Sequence, residues 1–273
     1  ISSSIIKEAI NSGINYFDTA SSYGDSETIL GETLSGDKDT IVATKFNVPV
    51  DDNGNPKSGK ELYNDIFKSI EKSIHNLNCQ YLDILQIHNA TIDIIEQGDV
   101  IKVLKEAQKL RMIKFIGASV YGEKDANSVI SDGSIDVLQV AYNILDQRMS
   151  EKVLIRAAKE NMGIILRSVY LKGALTKKAD SLPNQLIKLK EHVIELKKKC
   201  ANNDWDTLTD LALRFCLGNK LSSSVLVGIS SMKELSSALK SVNKGALSRQ
   251  QIETLSEYSM DDDLLLNPSK WVG

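Results

Sequence analysis

Apolar residues along the chain fall into two kinds of run that alternate. Short, near-continuous, β-branched-rich stretches occur at residues 15–19 (NYFDT), 40–46 (TIVATKF), 82–88 (LDILQIH), 114–120 (KFIGASV), 136–142 (DVLQVAY), 163–169 (GIILRSV) and 223–228 (SSVLVG). Such runs suit parallel strands buried on both faces. Between them lie longer segments with helical periodicity. In residues 61–78, Leu62, Ile66, Ile70 and Ile74 stand four apart on one helical face. Residues 100–110, 151–161 and 206–218 behave alike, and residues 2–12 open the chain in a helical pattern. Strand then helix, repeated, predicts βα units and a parallel sheet.

Seven strand runs are readable. The repeat predicts an α/β fold, a (β/α)8 TIM barrel, which takes eight parallel strands and about 250 residues. The first strand is not visible and is expected upstream of Ile1; an open doubly wound sheet is the alternative. No Pro/Gly-rich linker or shift of composition divides the chain, so one domain is expected over residues 1–273. A C-terminal tail, about 261–273, ends near Trp271, which is expected to dock. The longest interruption, residues 170–222, contains a turn at Ser181-Leu182-Pro183 and a Lys-rich helix over 185–200, read as a solvated surface element.

Composition narrows the function classes. Of 273 residues, 42% are hydrophobic and 25% charged, which excludes a disordered or low-complexity chain. Lys and Arg number 33 against 36 Asp and Glu, a net charge of −3, without the basic footprint of a nucleic-acid partner. No apolar run approaches the ~18–20 residues that span a bilayer, so no membrane partner is expected. Cys79, Cys200 and Cys216 are too sparse for a disulfide framework or a zinc site. They are read as thiols of a cytoplasmic protein with no metal. The chain opens without Met and without a secretory pattern.

In parallel α/β folds chemistry gathers at the C-terminal strand ends. Here those ends carry Asp18, Lys45, His88, Ser119, Gln139 with Tyr142-Asn143, Arg167 with Ser168, and Gly228 followed by Ser230 and Ser231. A buried lone Lys or Asp is costly unless paired, and convergence at one mouth resolves that cost. Asp18, Tyr23, Lys45 and His88 then form a set. A free phenol has a pKa of about 10, and a nearby ammonium lowers it. A carboxylate keeps the ammonium charged and placed, and a His can hydrogen-bond a carbonyl oxygen. Together they make a general acid beside a cradle for a developing alkoxide, suited to carbonyl reduction by a cofactor-borne hydride.

Competing readings are weaker. Lys45 alone suggests a Schiff-base enzyme, but Asp18 and Tyr23 do not belong to that chemistry. A glycosidase needs two carboxylates, and only Asp18 stands clearly at a strand end. There is no GxGxxG turn of a Rossmann dehydrogenase. Gly24, Gly31 and Gly36 mark loop and helix boundaries, and His75 and His192 read as structural or surface residues. Tyr142 and Asn143 are either packing or part of the rim.

The segments GINYFDTASSYGDSETILGETL, IVATKF, LDILQIHNA, MIKFIGAS, VLQVAYN and SVLVGISSMKEL resemble the aldo-keto reductase family over essentially the whole chain. The resemblance implies the barrel, with its first strand present in the intact protein, and a nicotinamide cofactor at the barrel mouth. It implies Tyr23 as proton donor, Lys45 and Asp18 as its tuning pair, and His88 as the group that orients the carbonyl. Ser119 and Gln139 match positions that bind the nicotinamide carboxamide, although Val120 stands where the family commonly has Asn. Arg167 replaces an aromatic residue that stacks on the ring. Ser168, Leu171 and Gly173 match the pyrophosphate segment. Gly228, Ser230, Lys233 and Glu234 match the segment around the adenosine ribose. NADP(H) is favoured and NAD(H) is the alternative: Lys233 can meet a 2′-phosphate as a point charge, whereas Glu234 suits a 2′-hydroxyl. The expected activity is reduction of an aldehyde or ketone. A regulatory or sensor protein on the same barrel is the alternative, favoured by Val120 and Arg167. Asn47, Asn89 and an aromatic content of 5% point to a small polar or sugar-like carbonyl compound.

Overall fold

A computed structural model describes residues 3–35, 39–150 and 152–271. Gly36, residues 1–2 at the expected start of the first helix, and the last two residues of the tail lie outside them. The strands are β1 Tyr16–Asp18, β2 Ile41–Phe46, β3 Leu82–Ile87, β4 Ile113–Val120, β5 Val137–Ala141, β6 Gly163–Arg167 and β7 Ser224–Val225. All seven expected strands are present, in one sheet, in sequence order. The α-helices are α1 Ser3–Asn11, α2 Ser26–Thr33, α3 Gly59–Asn76, α4 Ile92–Gln97, α5 Asp99–Lys109, α6 Glu123–Asp132, α7 Val153–Lys159, α8 Ile187–Asn202, α9 Leu208–Leu217, α10 Met232–Asn243, α11 Arg249–Ser256 and α12 Asp263–Leu266.

By contact density the chain forms two compact units, residues 1–139 with 156–164, and residues 140–155 with 165–273. In the first, β1–β2, β2–β3 and β3–β4 pair in parallel. Asp18 lies opposite Ala43, Lys45 opposite Gln86, and Gln86 opposite Gly117. Leu82, Ile84, Leu85 and Ile87 of β3 are all buried, as a strand covered on both faces requires. Leu62, Ile66 and Ile70 form the buried stripe of α3. Gly31 of α2 lets that helix meet the end of α3; a Cβ there would stand 2.4 Å from the Asn76 carbonyl oxygen.

In the second unit β6 pairs with β7 in parallel, Ile165 opposite Ser224 and Leu166 opposite Val225. β7 is shorter than the expected 223–228: past Val225 the one ladder bond among the described residues runs from the Leu226 N–H to the Leu166 carbonyl. The 170–222 interruption holds three 3₁₀ turns, Leu171–Gly173, Lys177–Ser181 and Asn184–Leu186, before α8. That helix is not only a solvated element: Leu189, Val193, Leu196 and Cys200 bury one face, leaving the lysines on the other. Its His192 places Nε2 2.9 Å from the Tyr258 carbonyl. The tail is held by Arg148, which bonds Asp146 and Asp263, and by the Trp271 indole N–H on the Leu265 carbonyl.

Candidate active site

The first unit collects the four expected groups. Asp18 ends β1, Lys45 lies near the end of β2, and His88 follows β3, its N–H still bonded to the Phe46 carbonyl. Tyr23 sits on the loop between β1 and α2. That loop is fixed from below. Ser21 N–H donates to the Lys45 carbonyl, Tyr23 N–H to the Ala20 carbonyl, and Ser26 N–H to the Tyr23 carbonyl. Glu27, buried at the start of α2, accepts from the Thr44 hydroxyl at 2.6 Å and the Asn76 amide at 3.0 Å.

Lys45 is 2% exposed. Its ammonium pairs with Asp18 Oδ2 and donates to the Thr19 carbonyl at 2.8 Å. Nζ lies 5.4 Å from the centre of the Tyr23 ring. The Tyr23 hydroxyl stands 3.4 Å from His88 Nε2, with the two rings edge to face at 5.6 Å. Tyr23 is half exposed, so its hydroxyl borders both the protein and open space. The arrangement presents a phenol and an imidazole at the surface above a buried, charge-paired ammonium.

Ser119 and Gln139 are both buried, near the ends of β4 and in β5. A hydroxyl and a primary amide supply the donors and acceptors that a carboxamide needs, so this pair fits a nicotinamide. Gln139 already has a partner: its Nε2 donates to Asp18 Oδ1 at 2.8 Å. Gln86, which the sequence reading passed over, donates to the same oxygen at 3.1 Å. Its signal was parity. Residues 84, 86 and 88 share one face of the strand direction, so Gln86 lies on the side of His88.

The second unit holds the remaining expected residues. Arg167 donates to the Ser168 hydroxyl at 3.1 Å. Ser168, Leu171, Lys172 and Gly173 all have positive φ, of 63°, 42°, 49° and 96°. Ser230 and Glu234 form a tight pair. One carboxylate oxygen of Glu234 accepts from the Ser230 N–H and hydroxyl, each at 2.7 Å, and Ser231 caps α10 through the Glu234 N–H. The Ser230 bonds hold the Glu234 carboxyl below the usual carboxylate range, and Lys178 adds to that. The sequence reading missed Lys178, whose stem lies against Gly173. Gly228 is exposed with open space around it, and Lys233 is exposed on α10. Tyr142 and Asn143 are packing residues. Tyr142 stacks on Phe215, and burial pushes its hydroxyl up to about 12. Asn143 is buried and bridges the Leu145 and Asp146 N–H groups to the Ser168 carbonyl.

The sequence model of the Aldo/keto reductase family matches residues 2–259. The chain belongs to the aldo-keto reductase family. It is 26% identical to the uncharacterized oxidoreductase YqkF of Bacillus subtilis, over 95% of this chain and 88% of that protein. It is 29% identical to the L-galactose dehydrogenase of Arabidopsis thaliana, over 97% and 84% of the two chains. Among solved structures, an aldo-keto reductase of Bacillus halodurans in its holo form superposes with a TM-score of 0.78 at 23% identity, covering 96% of this chain and 89% of that one. The fold is therefore the (β/α)8 barrel of the aldo-keto reductases, with seven of its strands among the described residues. An aldo-keto reductase of Klebsiella pneumoniae, solved with NADP and acetate, matches at a TM-score of 0.71 and 16% identity, over 93% and 83% of the chains. This chain is an NAD(P)H-dependent oxidoreductase acting on small carbonyl compounds. No helix among the described residues is long and apolar enough to cross a membrane.

Proposed function

We propose that this aldo-keto reductase reduces a small polar aldehyde or ketone to the alcohol, with the Tyr23 phenol as proton donor. The observation that carries the proposal is the stack of Tyr23, Lys45 and Asp18 with His88 at its rim. The nicotinamide cofactor supplies the hydride when bound. The carbonyl oxygen is received between the Tyr23 hydroxyl and His88 Nε2, which stand 3.4 Å apart. His88 orients that oxygen and Tyr23 gives it a proton as charge develops. The Lys45 ammonium stabilises the phenolate left behind, and Asp18 with the Thr19 carbonyl keeps the ammonium in place. In alcohol oxidation the same residues act in reverse.

Ser119 and Gln139 are assigned to the carboxamide of the cofactor. Arg167, Ser168, Leu171 and Gly173 are assigned to its nicotinamide and pyrophosphate, and Gly228, Ser230, Lys233 and Glu234 to its adenosine ribose. NADP(H) is the favoured form. The Glu234 carboxylate on Ser230 favours a ribose hydroxyl over a phosphate and keeps NAD(H) as the alternative. The chain acts as one barrel domain, and its three free thiols agree with a cytoplasmic setting.

A polar, sugar-like substrate is supported by exposed Asn47 and Asn89 beside the strand ends. Relatives named for sugar chemistry agree: the Arabidopsis L-galactose dehydrogenase and a D-arabinose 1-dehydrogenase of Saccharomyces cerevisiae, the latter 28% identical. The test uses NADPH deuterated at the transferable position, with glyceraldehyde and benzaldehyde as competing substrates. The expected result is deuterium on the former carbonyl carbon and a higher kcat/KM for glyceraldehyde. Preference for the aromatic aldehyde would overturn the substrate class. Tight cofactor binding without label transfer to any carbonyl would support the sensor protein instead.

A further inference from the structure

The proposed chemistry leaves one buried polar side chain beside the site without a task. Gln86 is fully buried in β3, in register with Lys45 on one neighbouring strand and Gly117 on the other. Its Nε2 donates to Asp18 Oδ1 at 3.1 Å, while its Oε1 has no hydrogen-bond partner among the described residues. A buried amide oxygen without a donor costs stability that an apolar side chain of similar size would not. Packing alone therefore gives no reason for glutamine here. The backbone also makes room for it: a Cβ on Gly117 would come within 2.6 Å of Gln86 Cγ.

Two amides share Asp18 Oδ1, while Lys45 takes Oδ2. The two amides are not equivalent. Gln139 is assigned to the nicotinamide carboxamide, so its polar atoms are divided once cofactor is present. Gln86 is wholly enclosed, and its one polar partner among the described residues is Asp18. We infer that Gln86 is a positioning residue that holds the Asp18 carboxylate, and through it the Lys45 ammonium under Tyr23, while Gln139 serves the cofactor. The inference rests on the proposed role of Tyr23 as acid.

The titratable groups around this cluster are Lys45 of β2, Tyr16 two residues before Asp18 on β1, and Tyr23 and His88 above. Burial, then the Asp18 charge, raises the Tyr16 phenol well above its ordinary value, so Tyr16 stays neutral across the working range. Removing the Gln86 donor leaves the Asp18 charge less dispersed and the ammonium less firmly placed. Both effects disfavour the Tyr23 phenolate and move its titration upward.

The test is Gln86→Met, which keeps length and removes the donor. Gly117→Ala displaces Gln86 from behind, and Gln139→Met and Tyr23→Phe serve as comparisons. In Gln86→Met, kcat for carbonyl reduction is expected to fall about tenfold and its alkaline limb to move up by about 1 pH unit. NADPH affinity should stay unchanged and Tm should change little, because relief of the unpartnered amide oxygen offsets the lost bond to Asp18. Gly117→Ala should move kcat and the limb in the same direction by less. Gln139→Met should lose NADPH affinity. Unchanged kcat and pH limb in Gln86→Met, with Tyr23→Phe inactive, would overturn this inference alone. So would a joint loss of Tm and NADPH affinity, which marks a merely structural residue. Full turnover in Tyr23→Phe would overturn the acid role and this inference with it.

Discussion

Replacing Lys45 by Met separates the electrostatic account from one based on shape. Methionine keeps the unbranched stem and removes the ammonium. Lys45 is 2% exposed and its ammonium bonds Asp18 and the Thr19 carbonyl. Breaking a buried pair by removing one partner costs about 3–5 kcal/mol. Here the surviving carboxylate is less stranded, because Asp18 is 15% exposed and keeps the Gln86 and Gln139 amide donors. Those donors and the partial exposure soften the penalty, and a loss of about 2 kcal/mol is expected. At about 2–4 °C per kcal/mol for a chain of this size, Tm falls by roughly 4–8 °C. The kinetic loss is larger in proportion: without a tuned acid the reduction slows by about 10²–10⁴-fold. The assay pairs a thermal melt with NADPH fluorescence titration and steady-state turnover on one preparation. Folded Lys45→Met that binds NADPH but reduces nothing is the expected outcome. Turnover near that of the unaltered protein would remove Lys45 from the mechanism.

Three further predictions test other parts of the account. Gly31→Ala puts a Cβ against backbone atoms of Asn76 and Leu77, with contacts of 2.4 and 2.5 Å, so urea melts should show a loss of about 1–3 kcal/mol. Burial alone would raise the Asp210 carboxyl, but bonds from Ser241, Lys244 and Arg214 outweigh it and hold the carboxyl below its ordinary value. Its stabilising contribution is therefore present above the unfolded pKa of about 4 and is lost as pH falls through the folded value. Arg214→Met should cost about 3 kcal/mol at neutral pH and flatten that acid dependence in urea melts. Glu234→Gln removes the anion on Ser230, so the Kd for NADPH should fall about fivefold relative to the Kd for NADH in the same fluorescence titration.

The barrel was legible because its strands are buried on both faces and its helices on one, and these two patterns differ in period. What escaped was short or irregular. β7 carries only two paired residues, and residues 168–173 place Ser, Leu and Lys in left-handed backbone that no composition signal marks. Three of the four central groups were legible because Asp, Lys and His are costly at strand ends unless they meet; Tyr23, on a loop, came with the resemblance of residues 13–34. Gln86 was not, since one glutamine in LDILQIH reads as an interruption until the register sets it between Lys45 and Gly117. The bond from Gln139 to Asp18 joins residues 121 apart, a distance that no local pattern spans. Glu234 and Lys233 were both candidates in the sequence, but only the hydrogen bonds show that the carboxylate, not the ammonium, engages Ser230.

The central claim is that Tyr23 delivers the proton. Its most direct test is Tyr23→Phe, with NADPH affinity and glyceraldehyde turnover measured on the same sample. The substitution removes one exposed hydroxyl and leaves Lys45, Asp18 and His88 in place. Unchanged NADPH binding with turnover reduced by about 10²-fold or more is the predicted result. Turnover within a few fold of the unaltered protein would contradict the account.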